Sequence, residues 1–247
     1  MLRVDFAKPV EGVWERLYRE HEVISISRTN RIIFNRVRRH ISFRGKSILQ
    51  IGSGPGVFSL MAAEEAKSIA LLDRSEEALK QAKRLFADVQ IPVQYYRTDI
   101  LEEADPPGMF DIVVSEGLVE HFKPSDLLRV LTRHRQCVSP DGEVIVIVPA
   151  SPHWNDVRCR APFSRRHYGW QRPISKGRMS LFFKEAGLAI RVNEKFCATY
   201  GVFHFPGCRY LHRIVEFPIE SDHPLDRFFG GLLLTIGKPH SATIGKS

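Results

Sequence analysis

The stretch "SILQIGSGPGVFSL", from Ser47 to Leu60, decides the fold of this chain. A short apolar run is followed by three glycines, Gly52, Gly54 and Gly56, and then by a second apolar run typical of a helix. Glycine has no Cβ, so a glycine turn between a strand and a helix lets backbone N–H groups approach a ligand at the helix N-terminus. A purely structural loop would use the same residues, so the turn alone indicates a site only weakly.

The composition is that of a globular chain with an excess of positive charge. Of the 247 residues, 43% are hydrophobic, and the formal net charge is +8 with a pI of about 9.5. This excess favours acidic partners, namely phosphorylated or carboxylated small molecules, nucleic acid or anionic membrane surfaces, although it also serves solubility alone. The four cysteines form no C-x-x-C pair, which is typical of reduced cysteines in a cytosolic protein.

The sequence shows no targeting or membrane segment. The N-terminal residues carry charges where a signal peptide needs an unbroken apolar region. No window approaches the roughly 18 apolar residues of a membrane-spanning helix. We therefore expect a cytoplasmic protein without a membrane span.

Apolar runs alternate with amphipathic segments through most of the chain. Strands are predicted at "KSILQI", "SIALL", "VQYY", "FDIVVSEG" and "GEVIVIV", and two more near "IRVNEKFCATY" and "GGLLLTIGK". Helices are predicted at "RIIFNRVRRHI", "VFSLMAAEEA", "SEEALKQAKRLFAD", "SDLLRVLTRHRQCV", "SKGRMSLFFKEAGL" and "RYLHRIVEF". Almost continuously apolar strands separated by helices are typical of an α/β protein, in which helices cover both faces of a mostly parallel sheet.

Acidic side chains follow two of the strands beside the glycine turn. Asp73 ends the second predicted strand, about 20 residues after the first glycine, where a carboxylate can accept both hydroxyls of a ribose. Asp99 and Ile100 follow the third strand and suit an adenine ring, with the carboxylate near the exocyclic amine and the apolar side chain against the ring face. A single acid here also serves as a helix cap or surface charge, but these features on successive strand ends indicate a nucleoside site.

These features resemble the class I S-adenosylmethionine-dependent methyltransferases, most closely the large type 11-like group that acts mainly on small molecules. The resemblance is clear from Ser47 to Pro149 and weaker beyond. It implies a Rossmann-like, seven-stranded, mostly parallel sheet whose last strand is antiparallel, within a single domain at 1–247. That domain is expected to comprise an N-terminal helical cap at 1–45, a cofactor-binding core at 46–150, a substrate-lid insert at 151–180, and C-terminal strands and helices at 181–247.

The resemblance also implies residues for S-adenosylmethionine. The glycine turn faces the methionine part of the cofactor, Asp73 binds the ribose, and Asp99 frames the adenine. Tyr18 and Trp14 on the N-terminal helix are expected either to close over the cofactor or to act as a hydrophobic anchor. The acid that usually precedes the glycine motif is replaced by Gln50. The full predicted set is Gln50, Gly52, Ser53, Gly54, Gly56, Asp73, Arg74, Asp99, Ile100, Ser115, Glu116, Gly117 and Tyr18.

The segment "SEGLVEHFKP" after the fourth strand is predicted to reach the reactive end of the cofactor. It lacks the N/D-P-P-Y-type motif with which related enzymes hold a planar amine. His121 is the candidate catalytic base, although a histidine at a helix start also bonds backbone for structural reasons. A metal site is an alternative interpretation of this segment, with Glu116, Glu120 and His121 as its possible ligands. The first glutamate of the corresponding pattern in ubiquinone-pathway O-methyltransferases falls at Gly117, however, so no metal is predicted.

A basic and aromatic segment follows the fifth strand, where such enzymes usually build a substrate lid. No acid occurs between Asp156 and Glu185, whereas arginine, lysine and aromatic residues are frequent. Arginines can hold a carboxylate or phosphate with two hydrogen bonds while aromatic rings cover an apolar body. A solvated basic loop and an RNA-binding surface have the same composition. The predicted substrate-binding residues are Arg165, Arg166, His167, Tyr168, Trp170 and His204.

The sequence therefore predicts an S-adenosylmethionine-dependent methyltransferase that modifies oxygen or nitrogen of a small, negatively charged organic acceptor. Two alternatives stay open at this point. One is an RNA methyltransferase, and the other is a non-catalytic protein that keeps the fold and the cofactor. A nicotinamide dehydrogenase is disfavoured, because the glycine spacing is G-x-G-x-G rather than G-x-G-x-x-G.

Overall fold

A computed structural model describes residues 13–20, 26–102, 107–162, 165, 169–197 and 230–240. Its helices are α1 (Val13–Glu20), α2 (Arg28–Arg38), α3 (Val57–Ala62), α4 (Glu76–Leu85), α5 (Pro124–Cys137), α6 (Asn155–Arg160) and α7 (Lys176–Glu185), and a single 3-10 turn covers Val119–His121. Its strands are β1 (Ser47–Ile51), β2 (Ser68–Asp73), β3 (Val93–Arg97), β4 (Phe110–Glu116), β5 (Val138–Ser151), β6 (Ile174–Ser175), β7 (Leu188–Phe196) and β8 (Leu232–Pro239).

Seven of the strands form the main sheet, in the order β3-β2-β1-β4-β5-β8-β7. Pairing is parallel between β1 and β2, β1 and β4, β2 and β3, and β4 and β5. Strand β8 is inserted between β5 and β7 and runs antiparallel to both. The predicted α/β fold, a Rossmann-like and mostly parallel sheet with a reversed last strand, is confirmed.

Two details of the sheet differ from the prediction. The two-residue strand β6 pairs with the end of β5, where Ala150 lies opposite Ile174. Two residues carry no periodic pattern, so this strand could not be predicted. Strand β5 begins at Val138, before the predicted strand "GEVIVIV", and its pairing with β4 shifts register between Phe110 and Ile112. The residues that precede the apolar run therefore form part of a longer, irregular strand.

Alternate residues of the strands fill two separate cores. Ile48 of β1 packs in the core that α2, α3 and α4 cover, whereas its neighbour Leu49 packs in the core under α5 and α7. Buried Val37 and Phe58 belong to the first core, and Phe183 belongs to the second. Because side chains alternate across a strand, the central strands bury both of their faces, as their continuous apolar runs require, whereas the edge strand β3 has no fully buried residue.

The carboxyl ends of the central strands meet at one edge of the sheet. The strand order reverses between β1 and β4, since β2 and β3 extend to one side and β5 to the other. Ligands of open α/β sheets bind in the crevice at such a switch point. Asp73 and Glu116 are the last residues of β2 and β4, and the glycine turn follows β1. The fold thus brings most of the predicted cofactor residues to a single edge.

Some predictions are not tested by the described residues. The predicted helix "RYLHRIVEF" lies outside them. Within the described ranges, no helix has the length and apolar character needed to cross a membrane. The division into cap, core, insert and C-terminal part stays a prediction, as does the cytoplasmic location.

Candidate active site

The turn from Gly52 to Gly56 uses backbone conformations that favour glycine. The three glycines have φ angles of 62°, 52° and 81°, in the left-handed region that residues with a Cβ avoid. A Cβ on Gly56 would also come within 2.7 Å of the Leu71 side chain, so the turn packs closely on β2. The carbonyl of Ser53 accepts the Gly56 N–H at 2.9 Å and closes the turn.

Asp73 ties the glycine turn to the start of α4. Its Oδ2 accepts the Gly54 N–H at 2.7 Å, and its Oδ1 accepts the Ser75 N–H at 2.8 Å. Ser75 is the N-cap of α4, and its hydroxyl accepts the Ala78 N–H at 3.1 Å. Burial raises the pKa of Asp73, while the two backbone donors oppose that rise. The predicted ribose-binding acid therefore stands at the centre of the edge, beside the glycine turn.

Gln50, which replaces the usual acid, is a partner of α3. Its Oε1 accepts two hydrogen bonds from Ser59, at 3.2 Å from the backbone N–H and at 2.7 Å from the hydroxyl. Both residues are buried. Gln50 therefore anchors α3 to β1 without adding a charge, and these two elements flank the glycine turn.

The predicted adenine residues lie beside Asp73. Oδ1 of Asp99 accepts the Leu101 N–H at 2.9 Å, and Oδ2 lies 3.8 Å from the guanidinium of Arg74. Ile100 is partly buried and packs against the core under α5 and α7. Arg74 and Asp99 are thus joined across the ends of β2 and β3, next to the proposed ribose position.

Ser115 and His134 form a buried pair behind the end of β4. The Ser115 hydroxyl lies 3.0 Å from Nε2 of His134, and Nδ1 of His134 lies 2.8 Å from the Val130 carbonyl oxygen. A carbonyl only accepts, so Nδ1 carries the proton and Nε2 accepts from Ser115. Burial lowers the pKa of His134 to about 4. The Ser115 side chain points toward α5, so a contact of this residue with the cofactor would come from its backbone.

Two carboxyl groups follow: Glu116, the partly buried last residue of β4, and Glu120, which is buried. Burial raises the pKa of Glu116 to about 7 and that of Glu120 to about 8. Oε2 of Glu120 is buried and has no hydrogen-bond partner among the described residues. Two nearby charges also act on Glu120: Arg158 on α6 lowers its pKa, and Glu116 raises it. Gly117, between the two acids, donates its N–H to the Ile147 carbonyl at 3.0 Å.

His121 is held in one tautomer by the insert. Its Nδ1 lies 2.8 Å from the backbone carbonyl oxygen of Trp170, which only accepts, so Nδ1 carries the proton. Nε2 is therefore a lone-pair nitrogen, and it is buried without a hydrogen-bond partner in the described part of the chain. Burial lowers the pKa of His121 to about 4, so the ring is neutral near pH 7. The N–H of Arg172 also donates to the Glu120 carbonyl at 2.9 Å, which docks the insert on the same turn.

Helix α1 lies over this edge. The Tyr18 hydroxyl is 2.6 Å from the place where a Cβ on Gly54 would lie. The Trp14 ring meets the His121 ring edge-on, with centroids 5.1 Å apart and planes at 89°. The Glu15 carboxylate accepts backbone N–H groups at the start of α4. Tyr18 therefore lies against the glycine turn, and its role at the cofactor stays a prediction.

The predicted substrate-binding residues are described only in part. Trp170 is partly buried, carries Arg172 above its ring at 5.4 Å, and provides the carbonyl that holds His121. Arg165 is exposed. Arg158, another arginine of this basic segment, is buried and donates a side-chain hydrogen bond to Asn155 at 3.3 Å. The remaining predicted residues lie outside the described ones: Arg166, His167, Tyr168 and His204.

Sequence reasoning missed two residues of this edge. His134 is fully buried in the last turn of α5, and a histidine inside an amphipathic helix gives no signal of its partner. The role of Glu15 depends on a contact between distant segments. Among the described residues no group of three His, Cys, Asp or Glu side chains is arranged to hold a metal ion.

The sheet order and the residues at its carboxyl edge define a Rossmann-like nucleoside-binding domain. Residues 48–142 match the family model described as "Methyltransferase domain". A ubiquinone biosynthesis O-methyltransferase of Azotobacter vinelandii is 27% identical over 132 residues, which are 53% of this chain and 55% of that protein. The chain thus matches about half the length of this relative.

Solved structures share the fold over nearly the whole chain. The DhpI–SAH complex is 16% identical with a TM-score of 0.61 and covers 92% of this chain and 93% of its own. A Haloferax volcanii putative methyltransferase, solved with its Trm112 activator, is 18% identical with a TM-score of 0.65 and covers 92% and 95%. Residues 48–142 are thus similar to the methyltransferase domain family, and the chain shares the Rossmann-like fold of these solved structures.

Proposed function

We propose that this protein transfers a methyl group from S-adenosylmethionine to a hydroxyl oxygen or an amine nitrogen of a small organic acceptor. The observation that carries the proposal is the lone pair of His121 Nε2, which the Trp170 carbonyl fixes at the end of the cofactor edge. The O-methyltransferase relative favours oxygen as the accepting atom.

The residues at the edge fit the cofactor. Asp73 offers carboxylate oxygens for the ribose hydroxyls, and the glycine turn offers bare backbone for the methionine tail. Asp99 and Ile100 offer an acceptor and an apolar face for the adenine. Other residues proposed to contact the cofactor are Gln50, Gly52, Ser53, Gly54, Gly56, Arg74, Ser115, Glu116 and Gly117, and Tyr18 lies over the same turn.

The proposed chemistry needs alignment and one proton acceptor. When bound, S-adenosylmethionine supplies an electrophilic methyl group on a sulfonium. The residues of the cleft hold the acceptor atom in line with that methyl group, an orientation effect worth up to about 7–11 kcal/mol. His121 Nε2 accepts the acceptor's proton as the new bond to carbon forms, and a positioned base of this kind contributes about 10²–10⁴-fold.

The acceptor is proposed to carry negative charge. The insert between Asp156 and Glu185 has no acid and is rich in arginine, and Arg165 is exposed to solvent and available to an anion. The insert also contacts the catalytic turn through Trp170 and Arg172. An acceptor held by the insert would therefore lie next to His121.

The test combines binding with transfer. Calorimetry with S-adenosylhomocysteine measures cofactor binding, and S-adenosylmethionine with a deuterated methyl group is then incubated with fractions of a metabolite extract. We expect a labelled product that depends on the protein and is lost in His121→Ala. The matched control is His40→Ala, since His40 pairs with Glu194 away from the edge.

The outcomes separate the alternatives. Absence of S-adenosylhomocysteine binding would overturn the proposal at its first step. Binding without transfer to any fraction would support the non-catalytic alternative. Label recovered in RNA, with binding that weakens steeply as salt rises, would support the RNA methyltransferase alternative.

A further inference from the structure

Helix α1 makes three contacts with the cofactor edge, each through a different side chain. Trp14 contacts the ring of His121, the proposed base. Glu15 contacts the start of α4, and Tyr18 contacts the glycine turn. The eight residues of α1 all keep part of their surface exposed. The helix therefore lies on the edge rather than inside a core, and its contacts there are few and specific.

Tyr18 fills the space above the glycine turn. Its hydroxyl lies 2.6 Å from the Cβ position of Gly54, which is the approach that a ligand resting on the turn would take. The enclosed position, together with the charges of Asp73 and Glu116, raises the pKa of Tyr18. Because the proposed ribose and tail positions adjoin these same groups, the tyrosine ring and the cofactor compete for one volume.

Glu15 fastens the helix in this position. Its two carboxylate oxygens lie 2.9 Å from the Glu76 nitrogen and 3.4 Å from the Glu77 nitrogen, both of which donate. These are unpaired N–H groups of the first turn of α4, where the helix dipole favours a negative charge. Gln81 of α4 also donates its side-chain N–H to the Tyr18 carbonyl. Both anchors come from α4, the helix that follows Asp73.

Trp14 covers the other end of the site. Its ring stands edge-on to the His121 ring at 5.1 Å. The conformation that places Tyr18 on Gly54 thus also shields the proposed base. One movement of α1 would open both the cofactor position and the base.

We propose that α1 is an autoinhibitory segment that occupies the cofactor cleft and is displaced when the cofactor binds. This inference depends on the proposed function, since it takes the edge as the cofactor site. A cofactor that binds only the open state has its affinity reduced by the fraction of molecules that are open. Substitutions that detach α1 should therefore tighten cofactor binding, even though the substituted side chains lie at the edge of the site.

The experiment measures S-adenosylhomocysteine affinity by calorimetry on the full chain. Tyr18→Ala empties the space above Gly54, and Glu15→Ala removes the anchor to α4. We expect both variants to bind several-fold more tightly than the unchanged protein. The matched control is Arg16→Ala, an exposed position on the same helix, whose affinity should not change.

A second measurement follows the anchor itself. Hydrogen exchange of the Glu76 and Glu77 amides should become faster when S-adenosylhomocysteine saturates the unchanged protein, because Glu15 no longer accepts from them. Slower exchange there, or variants that bind equally or more weakly, would overturn the inference and leave the proposed function standing. Absence of binding in the unchanged protein and in every variant would instead overturn the proposed function.

Discussion

Asp73 accepts a hydrogen bond from the Gly54 N–H at 2.7 Å, so the acid at the end of β2 also holds the glycine turn that follows β1. The same carboxylate accepts the Ser75 N–H at the start of α4. An ionised carboxylate has about four lone-pair sites, so these two donors leave capacity for the hydroxyls of a ribose. One side chain thus holds the turn and keeps acceptor sites for the proposed ribose.

Asp73→Ala should weaken S-adenosylhomocysteine binding more than tenfold in calorimetry, because both the ribose acceptor and the support of the turn are lost. The affinity of Asp73→Asn should lie between those of the unchanged protein and Asp73→Ala, since an amide keeps one accepting oxygen. The control is Asp88→Ala, which removes an exposed acid just after α4. An affinity of Asp73→Ala equal to that of the unchanged protein would show that the ribose lies elsewhere.

His121→Ala should lower the rate of methyl transfer by about 10²–10⁴-fold, because the lone pair that accepts the proton is removed. Cofactor affinity should change little, which separates a role in proton transfer from a role in folding. Burial holds the pKa of His121 near 4, so the ring stays neutral and able to accept a proton at neutral pH. The rate should therefore fall only as pH approaches 4, where the ring becomes protonated. A rate that the substitution leaves unchanged would assign the base elsewhere.

The fold and the main positions of the site follow from local sequence patterns. The apolar runs predicted the strands, and parallel strands bring their carboxyl ends to one edge, which is why Asp73 and Asp99 were predicted beside the glycine turn. The reversed strand β8 was expected from the family resemblance, and its pairing with β5 and β7 confirms it.

The contacts that complete the site could not be predicted in the same way. The Trp170 carbonyl meets His121 across 49 positions of sequence, and Glu15 reaches Glu76 across 61. Such pairs depend on how an insert and an N-terminal helix dock, which no periodicity encodes. His134 shows the same limit, because its partner Ser115 lies on a different element.

Gln50→Ala should destabilise the protein by about 1–3 kcal/mol, because two buried donors of Ser59 lose their acceptor. Urea unfolding followed by circular dichroism measures the change. The matched variant is Ser59→Ala, and the double variant should cost less than the two single changes together, since the pair shares one interaction. Strictly additive costs would mean that Gln50 stabilises α3 through other contacts.

Glu120 should contribute a loss of stability as pH rises from about 4.5 to 8, whereas the histidines His121 and His134, whose pKa burial lowers to about 4, contribute in the opposite direction below about pH 6.5. Burial raises the pKa of this carboxyl from 4.5 to about 8, so in that window the folded protein keeps a proton that the unfolded chain releases. The contribution of Glu120 to the free energy of unfolding therefore decreases with pH until the folded pKa is passed. Glu120→Gln cannot ionise, so its melting temperature should decline less between pH 5 and pH 8. Glu116 is unchanged in that variant and should still contribute a smaller loss of stability with rising pH, because burial raises its pKa to about 7.

The control for this pH series is Glu64→Gln, which removes a charge from an exposed position after α3. Its melting temperature should follow that of the unchanged protein over the whole range, because an exposed side chain keeps its hydration on folding. If Glu120→Gln instead declines as steeply as the unchanged protein, the Glu120 carboxyl must be ionised when folded. In that case Arg158, the nearby cation on α6, would stabilise the charged form more than burial disfavours it.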